Sequence, residues 1–320
     1  MKIRFEKSDT SIYTFNYSNG GSLLLGDDVK RQDGPLLLDV SITNRCLRGC
    51  TFCYKNAQPQ GKDISLDDYS LILREAQLCG VTQIAIGGGE PTLHPHFVHI
   101  LRMTREAGII PNYSTNGDCL TDEIVDATKI YCGAMAISIY DDINSYKSLV
   151  SALSRKEIRI NLHFILHKDN LDNYISLLTS PPEWLKQVNA IIFLNYKPTN
   201  GRYDITLQNA DPAKLSLFFK LVCDIKFCSI GFDTCTSSFI EKYTDIDDSL
   251  FDYCEAARRS AYINEFLDVY PCSFYHENGI NLRRMPLKQI WGNSELFRIH
   301  RKYIEACHGC PLYEINLNKI

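Results

Sequence analysis

Cys46-Leu47-Arg48-Gly49-Cys50-Thr51-Phe52-Cys53 puts three thiols into eight residues, and the rest of the chain is read from what they can hold. Three thiolates this close reach one centre only if the backbone loops around it, and Gly49 allows the tight passage. Structural zinc takes four ligands, and no fourth lies nearby. A cubic iron–sulfur cluster with one iron left open takes three, and an all-thiolate set suits iron–sulfur chemistry. On spacing alone, zinc completed by a distant histidine stays open, since catalytic zinc also uses three protein ligands.

The stretch follows an apolar strand candidate, residues 36–42, and precedes a helix opened by Ser65 with Asp68 three residues on, a capping-box-like start. From there strands and helices alternate. Strands are expected at 83–86, 109–114, 134–140, 158–166 and 190–196, with helices between them, one more helix at 211–222 and a terminal strand at 230–233. Such spacing implies right-handed βαβ units and a parallel sheet. Six units are fewer than the eight that close a full barrel. Residues 1–34 are polar with short β-like pieces and a Gly20-Gly21 turn, and the alternation stops near Cys235. The expected divisions are 1–34, 35–233 and 234–320.

In parallel α/β folds ligands gather at the carboxyl ends of strands. Gly87-Gly88-Gly89-Glu90-Pro91 ends the second strand. No Gly-Lys-Ser/Thr follows, so it is not a phosphate-binding P-loop. A tight strand-to-helix turn is the plain alternative. Ser114 and Asn116 close the third strand, Ser138 lies in the fourth, and Asn161 and His163 in the fifth.

The cysteine stretch with Phe52 before its last thiol, one βα unit ahead of the glycine–glutamate loop, resembles the radical S-adenosylmethionine (SAM) superfamily. The resemblance implies a partial (β/α)6 TIM barrel open on one side, with Cys46, Cys50 and Cys53 holding a [4Fe-4S] cluster whose open iron is chelated by SAM. It implies Phe52 near the adenine, the 87–91 loop at the SAM amino group, and Ser114, Asn116, Ser138 and Asn161 as further polar contacts. The activity implied is reductive cleavage of SAM to a 5′-deoxyadenosyl radical that abstracts hydrogen from substrate.

A second thiol group comprises Cys254, Cys272 after a plausible hairpin at 262–270, and Cys307-His308-Gly309-Cys310 after a helix at 294–306. By spacing alone it suits structural zinc. The segment resembles the C-terminal SPASM/twitch extension of radical SAM enzymes, a small cysteine-rich domain. That resemblance implies a one-cluster, twitch-like auxiliary [4Fe-4S] site on Cys254, Cys272, Cys307 and Cys310. Cys235 is open three ways: a catalytic thiol giving hydrogen to a substrate radical, an alternative ligand, or a buried small apolar residue.

Composition bounds the functions. The chain has 320 residues, 45% hydrophobic and 22% charged, with a net charge of −4 and thirteen cysteines. It is neither disordered nor strongly basic, so no nucleic-acid partner is expected. No apolar run approaches the roughly 18 residues of a membrane span. Residues 1–7 are charged and lack the apolar stretch of a secretory signal, so a cytoplasmic, reducing setting is expected, where clustered thiols read as metal or redox sites. Residues 281–320 carry seven Lys/Arg against three Asp/Glu. They suit either docking of an electron donor such as flavodoxin or ferredoxin or a solvated basic face. The resemblance makes a ribosomally synthesised peptide or protein the first substrate class, modified by oxidation, cross-linking or epimerisation. A twitch-type dehydrogenase of a small sugar-like or cyclitol metabolite is the alternative, suited by His163, Tyr196, Lys197 and Arg202. A non-enzymatic metal scaffold is a third reading, which leaves the glycine–glutamate loop without a purpose.

Overall fold

The structure, a computed structural model, describes residues 3–7, 11–17, 21–26, 34–140, 142–199, 201–247, 250–307 and 310. Three strands, β1 (Ile3–Lys7), β2 (Ser11–Asn16) and β3 (Ser22–Gly26), form an antiparallel sheet in sequence order. Gly20 lies outside the described residues; Asn16 N–H donates to the Gly21 carbonyl at 2.8 Å. Tyr13 and Phe15 of this sheet pack on Ile110 and Leu36, at the amino ends of the barrel strands.

The barrel sheet runs β4 (Leu37–Thr43), α1 (Leu66–Leu78), β5 (Gln83–Gly88), α2 (Phe97–Glu106), β6 (Ile110–Thr115), α3 (Asp122–Tyr131) and β7 (Met135–Ile139). It continues through α4 (Lys147–Arg155), β8 (Ile160–Leu166), α5 (Leu171–Thr179), β9 (Ala190–Asn195), α6 (Pro212–Asp224) and β10 (Ser229–Phe232). Strands β4 to β10 are parallel and stand in sequence order, so six βα units and a seventh strand make the partial barrel. Local chemistry fixes the ends of the elements. Ser65 caps α1 by accepting from Asp68 N–H, and Gly108 takes the left-handed conformation after α2, which glycine adopts without a Cβ clash.

After α7 (Ser237–Tyr243) come β11 (Ser260–Ile263), β12 (Asp268–Tyr270) and β13 (Ile280–Asn281), then α8 (Leu287–Asn293) and α9 (Glu295–Cys307). The predicted 262–270 hairpin is present: Tyr262 pairs with Tyr270, antiparallel. β11 also runs parallel along β4, Ser260 opposite Leu37, and the ten-stranded sheet stays open between β10 and β13. Residues before and after position 234 thereby share one sheet and one apolar core, in which Ile263, Val269 and Trp291 sit with Leu38, Ile84 and Ile191. Among the described residues no helix is long and apolar enough to cross a membrane.

Candidate active site

The carboxyl ends of β4 to β10 open into one cavity of about 390 Å³, the size of a cofactor or small-ligand site. Strand parity decides which side chains reach it. On β8, Ile160, Leu162, Phe164 and Leu166 are buried away from it, while His163 and Ile165 line it. This settles the facing of a strand that is apolar on both sides. On β4 the same alternation turns Leu38 and Ile42 into the core and brings Asp39 and Ser41 to the cavity.

The cysteine loop forms one wall. Cys46 N–H donates to the Gln58 carbonyl and Cys53 N–H to the Cys50 carbonyl, both at 3.1 Å, and Gly49 sits at φ +60° with open space where a Cβ would be. Cys46, Cys50 and Cys53 all line the cavity. Burial, then the charges of Cys53 and Cys46, push the Cys50 thiol up, and Arg48 opposes them; the shared lining puts the three thiols on one space. Arg48 clamps the loop to the end of β6, its Nε and Nη2 donating to Asp118 at 2.6 and 2.7 Å. The Phe52 ring stands 5.4 Å from that of Tyr140, and both border the cavity.

Among the described residues no three His, Cys, Asp or Glu side chains are placed to hold a single metal ion. Tetrahedral zinc would draw its thiolates to within about 4 Å of each other. A cube of four irons takes one thiolate per iron, and three thiols lining one shared space fit that arrangement.

The glycine loop has a division of labour. A Cβ on Gly88, at φ +122°, would run into the Thr43 carbonyl, and one on Gly89 into that of Arg45. These two glycines let β5 close on β4 and the cysteine loop. Gly87 has no atom within 4 Å of its Cβ position and leaves the cavity open. Glu90 is 2% exposed. One carboxylate oxygen accepts from Thr92 N–H, the Thr92 hydroxyl and the Thr115 hydroxyl at 3.2, 2.5 and 2.7 Å; the other accepts from Asn116 N–H at 2.7 Å. Burial raises its pKa against these donors. Its carboxylate ties the loop to β6 while lining the cavity. Ser114, Asn116 and Ser138 line it too. Pro91 is instead buried at the start of a 3-10 turn, and Asn161 is absent from the lining, accepting from Asn189 at 2.8 Å.

The opposite wall is polar and aromatic: His163, Tyr196, Lys197, Asp233, Tyr262 and Phe274. Lys197, its side chain 4% exposed, pairs with Asp233 and stands 4.7 Å from the Phe274 ring centre. Burial pushes His163 down to about 4, with Asp233 opposing, so its imidazole is neutral near pH 7. Arg202 is not in the lining and pairs with Asp204 at 3.5 Å.

Behind that wall lie the other thiols. Cys254 packs with Cys272 against Ile304, Tyr253 and Tyr303. Phe274 N–H donates to the Cys272 sulfur at 3.4 Å. Burial pushes Cys254 up to about 12 and Cys272 upward as well, so the metal-free thiols stay protonated and a metal would displace their protons. The Cys307 side chain, His308 and Gly309 lie outside the described residues.

Residues 40–140 match the model of the Radical SAM superfamily. The chain belongs to that superfamily. Residues 254–311 match an iron-sulfur cluster-binding domain, SPASM, so this is a radical SAM enzyme with a SPASM-type C-terminal region, and its cofactors are SAM and [4Fe-4S] clusters. A PqqA peptide cyclase of Ruegeria pomeroyi is 27% identical over 156 residues, 43% of this chain and 42% of that protein. An AdoMet-dependent heme synthase of Methanosarcina barkeri is 21% identical over 325 residues, 87% of this chain and 91% of that protein. In fold, Streptococcus suis SuiB bound to precursor peptide SuiA superposes with a TM-score of 0.71 at 19% identity, over 89% of this chain and 73% of that one.

Sequence reasoning passed over Asp39, Ser41, Tyr54, Tyr140, Tyr262 and Phe274 as lining residues. A signal existed for the first two: Asp39 and Ser41 share one parity in an otherwise apolar strand. The others arrive from loops and from the C-terminal hairpin, whose place beside β4 depends on a pairing about 220 residues apart in sequence.

Proposed function

We propose that this radical SAM enzyme modifies a ribosomally synthesised peptide or protein, with Cys46, Cys50 and Cys53 as ligands of the SAM-binding cluster. Cys254, Cys272, Cys307 and Cys310 serve the auxiliary cluster in this reading. When bound, the first cluster and SAM supply one-electron cleavage of the sulfonium and hydrogen abstraction from carbon. The observation that carries the reading is a single cavity with three thiols on one wall and a buried Lys197–Asp233 pair on the other.

The chain's own residues do the positioning. Phe52 and Tyr140 offer ring faces to an adenine. Gly87 exposes backbone to the SAM amino group, and Glu90 adds negative charge held by four donors. Ser114, Asn116 and Ser138 supply hydroxyl and amide groups along the SAM side. Tyr54 and Phe274, their ring centres 4.7 Å apart, close the space between the two walls and exclude water, which protects reactive species. Lys197 presents its ammonium group to a peptide carbonyl or carboxylate. The peptide class is supported by the likeness to the PqqA peptide cyclases and to SuiB with its precursor peptide. A flavodoxin or ferredoxin would deliver the electron.

The test is anaerobic turnover of the reconstituted, reduced enzyme with SAM and a short peptide encoded beside its gene. We expect 5′-deoxyadenosine together with loss of two hydrogens from the peptide, or solvent deuterium entering it if the reaction is an epimerisation. An unchanged peptide alongside dehydrogenation of a cyclitol would replace this reading with the metabolite one.

A further inference from the structure

We propose that Asp39 is a cation-binding subsite of the active-site cavity, and that it receives a lysine or arginine side chain of the substrate peptide. The inference rests on the peptide reading above and deepens it by naming the class of side chain that the enzyme holds.

The charges of the cavity do not balance without such a group. Asp39, Arg48, Glu90, Lys197 and Asp233 are the Asp, Glu, Lys and Arg side chains that line it, and Cys235 does not line it. Arg48 is paired with Asp118, and Lys197 with Asp233. Glu90 accepts from Thr92, Thr115 and Asn116. The half-buried Asp39 carboxylate has no hydrogen bond or ion pair among the described residues. A carboxylate drawn out of water without a partner costs stability, and local breaches of this kind gather at functional sites. Burial, then the Glu255 carboxylate, push Asp39 up to about 6, which is how an acid behaves when no cation offsets its charge.

The surroundings leave room for a cation. Asp39 sits two residues deeper along β4 than Ser41, whose hydroxyl is taken up by Glu265. In register it stands beside Ala85 of β5 and Tyr262 of β11. On this side β5 brings only the Ala85 methyl group and Gly87, where nothing lies within 4 Å of a Cβ position. The rings of Tyr54, Tyr262 and Phe274 line the same cavity, and ring faces attract ammonium and guanidinium groups. Lys55 and Lys197 stand 5.6 and 4.7 Å from the Tyr262 and Phe274 ring centres. Each is paired with its own carboxylate, Glu265 and Asp233, so neither cancels Asp39. Among the described residues no three His, Cys, Asp or Glu side chains could hold a metal ion. A single carboxylate with aromatic neighbours suits an organic cation instead. The SAM amino group has the Gly87 backbone and Glu90 in the reading above, which leaves Asp39 to the substrate.

The experiment uses the full chain, reconstituted anaerobically and saturated with SAM, and reads binding by isothermal titration. The probes are N-acetyl-lysine methylamide and its uncharged analogue N-acetyl-norleucine methylamide. The wild-type enzyme should bind the lysine probe at least about tenfold more tightly than the norleucine one. Asp39→Asn, which keeps the side chain's size, should bring the two affinities to within about twofold of each other, with SAM held as tightly as before. A wild-type enzyme without the lysine preference, or an Asp39→Asn variant that retains it, overturns the subsite. A loss of SAM affinity in Asp39→Asn as large as the loss of probe affinity would assign the carboxylate to the cofactor and overturn it as well. A lysine preference abolished by Asp39→Asn, in an enzyme that leaves the peptide encoded beside its gene unchanged, would uphold the subsite and refute the peptide, so the two failures are distinguishable.

Discussion

Lys55, two residues past the last cysteine of the cluster loop, donates to Glu265 Oε2 at 2.9 Å across 210 positions of sequence. The two side chains are 7% and 3% exposed. Lys55 also donates to the Tyr262 hydroxyl at 2.9 Å, and the Ser41 hydroxyl donates to the same Glu265 oxygen at 2.7 Å. The loop that carries three thiols is therefore anchored to β4 and to the β11–β12 turn at once. Removing one member of a buried pair leaves the other charged and unpaired, which costs more than the pair contributes.

Glu265→Ala should accordingly lower the stability of the apo-protein by roughly 3 kcal/mol or more, read by denaturant unfolding, and reduce iron retention at the first cluster. The double variant Lys55→Met/Glu265→Met should recover most of the lost stability. If the single and double variants are equally unstable, Lys55 and Glu265 are not coupled.

Replacing Cys46, Cys50 and Cys53 together with Ala should halve the iron, from about eight to about four per chain, and abolish 5′-deoxyadenosine formation. Iron analysis and chromatography of the SAM products check the two halves independently. Full SAM cleavage in this variant would refute the ligand assignment.

The glycine loop separates packing from binding. Gly88→Ala forces a Cβ against the Thr43 carbonyl at a φ that side chains avoid, and should destabilise the fold by about 2–4 kcal/mol. Gly87→Ala meets no neighbour. It should fold normally and weaken SAM binding several-fold, as measured by isothermal titration.

Asp39 carries a pH signature. Burial, then the Glu255 carboxylate, push it up to about 6 from an ordinary 3.8. An acid whose folded pKa is raised loses stability as pH rises from the unfolded value through the folded one. Relative to wild type, Asp39→Asn should therefore stabilise the SAM-free protein by up to about 3 kcal/mol at pH 8 and by about half that at pH 5. Thermal unfolding across this range reads the slope; a difference that grows toward low pH would contradict it.

Lys197→Met leaves Asp233 without its cation in the wall opposite the thiols. Abortive SAM cleavage should persist while peptide modification falls at least about tenfold, the equivalent of about 1.4 kcal/mol. Equal losses of both activities would place Lys197 with the SAM machinery instead.

The amino-acid sequence by itself determined the partial barrel and the superfamily, because both rest on local information. Strand and helix periods, the Ser65 cap and the turn after α2 are decided within a few residues, and the three clustered thiols with the glycine–glutamate loop carry their chemistry in their spacing. Two glycines were legible as necessary but not for the right neighbour, since what Gly88 and Gly89 make room for is the end of β4 and the start of the cysteine loop. Only the tertiary structure decided that Glu90 is locked by Thr92, Thr115 and Asn116, that Lys55 meets Glu265, and that Cys254 packs against Cys272. Each of these depends on strands brought side by side from distant parts of the chain. Hydrogen bonds and thiol contacts reach only a few ångströms, so no spacing along the sequence encodes them until the sheet has set which ends meet.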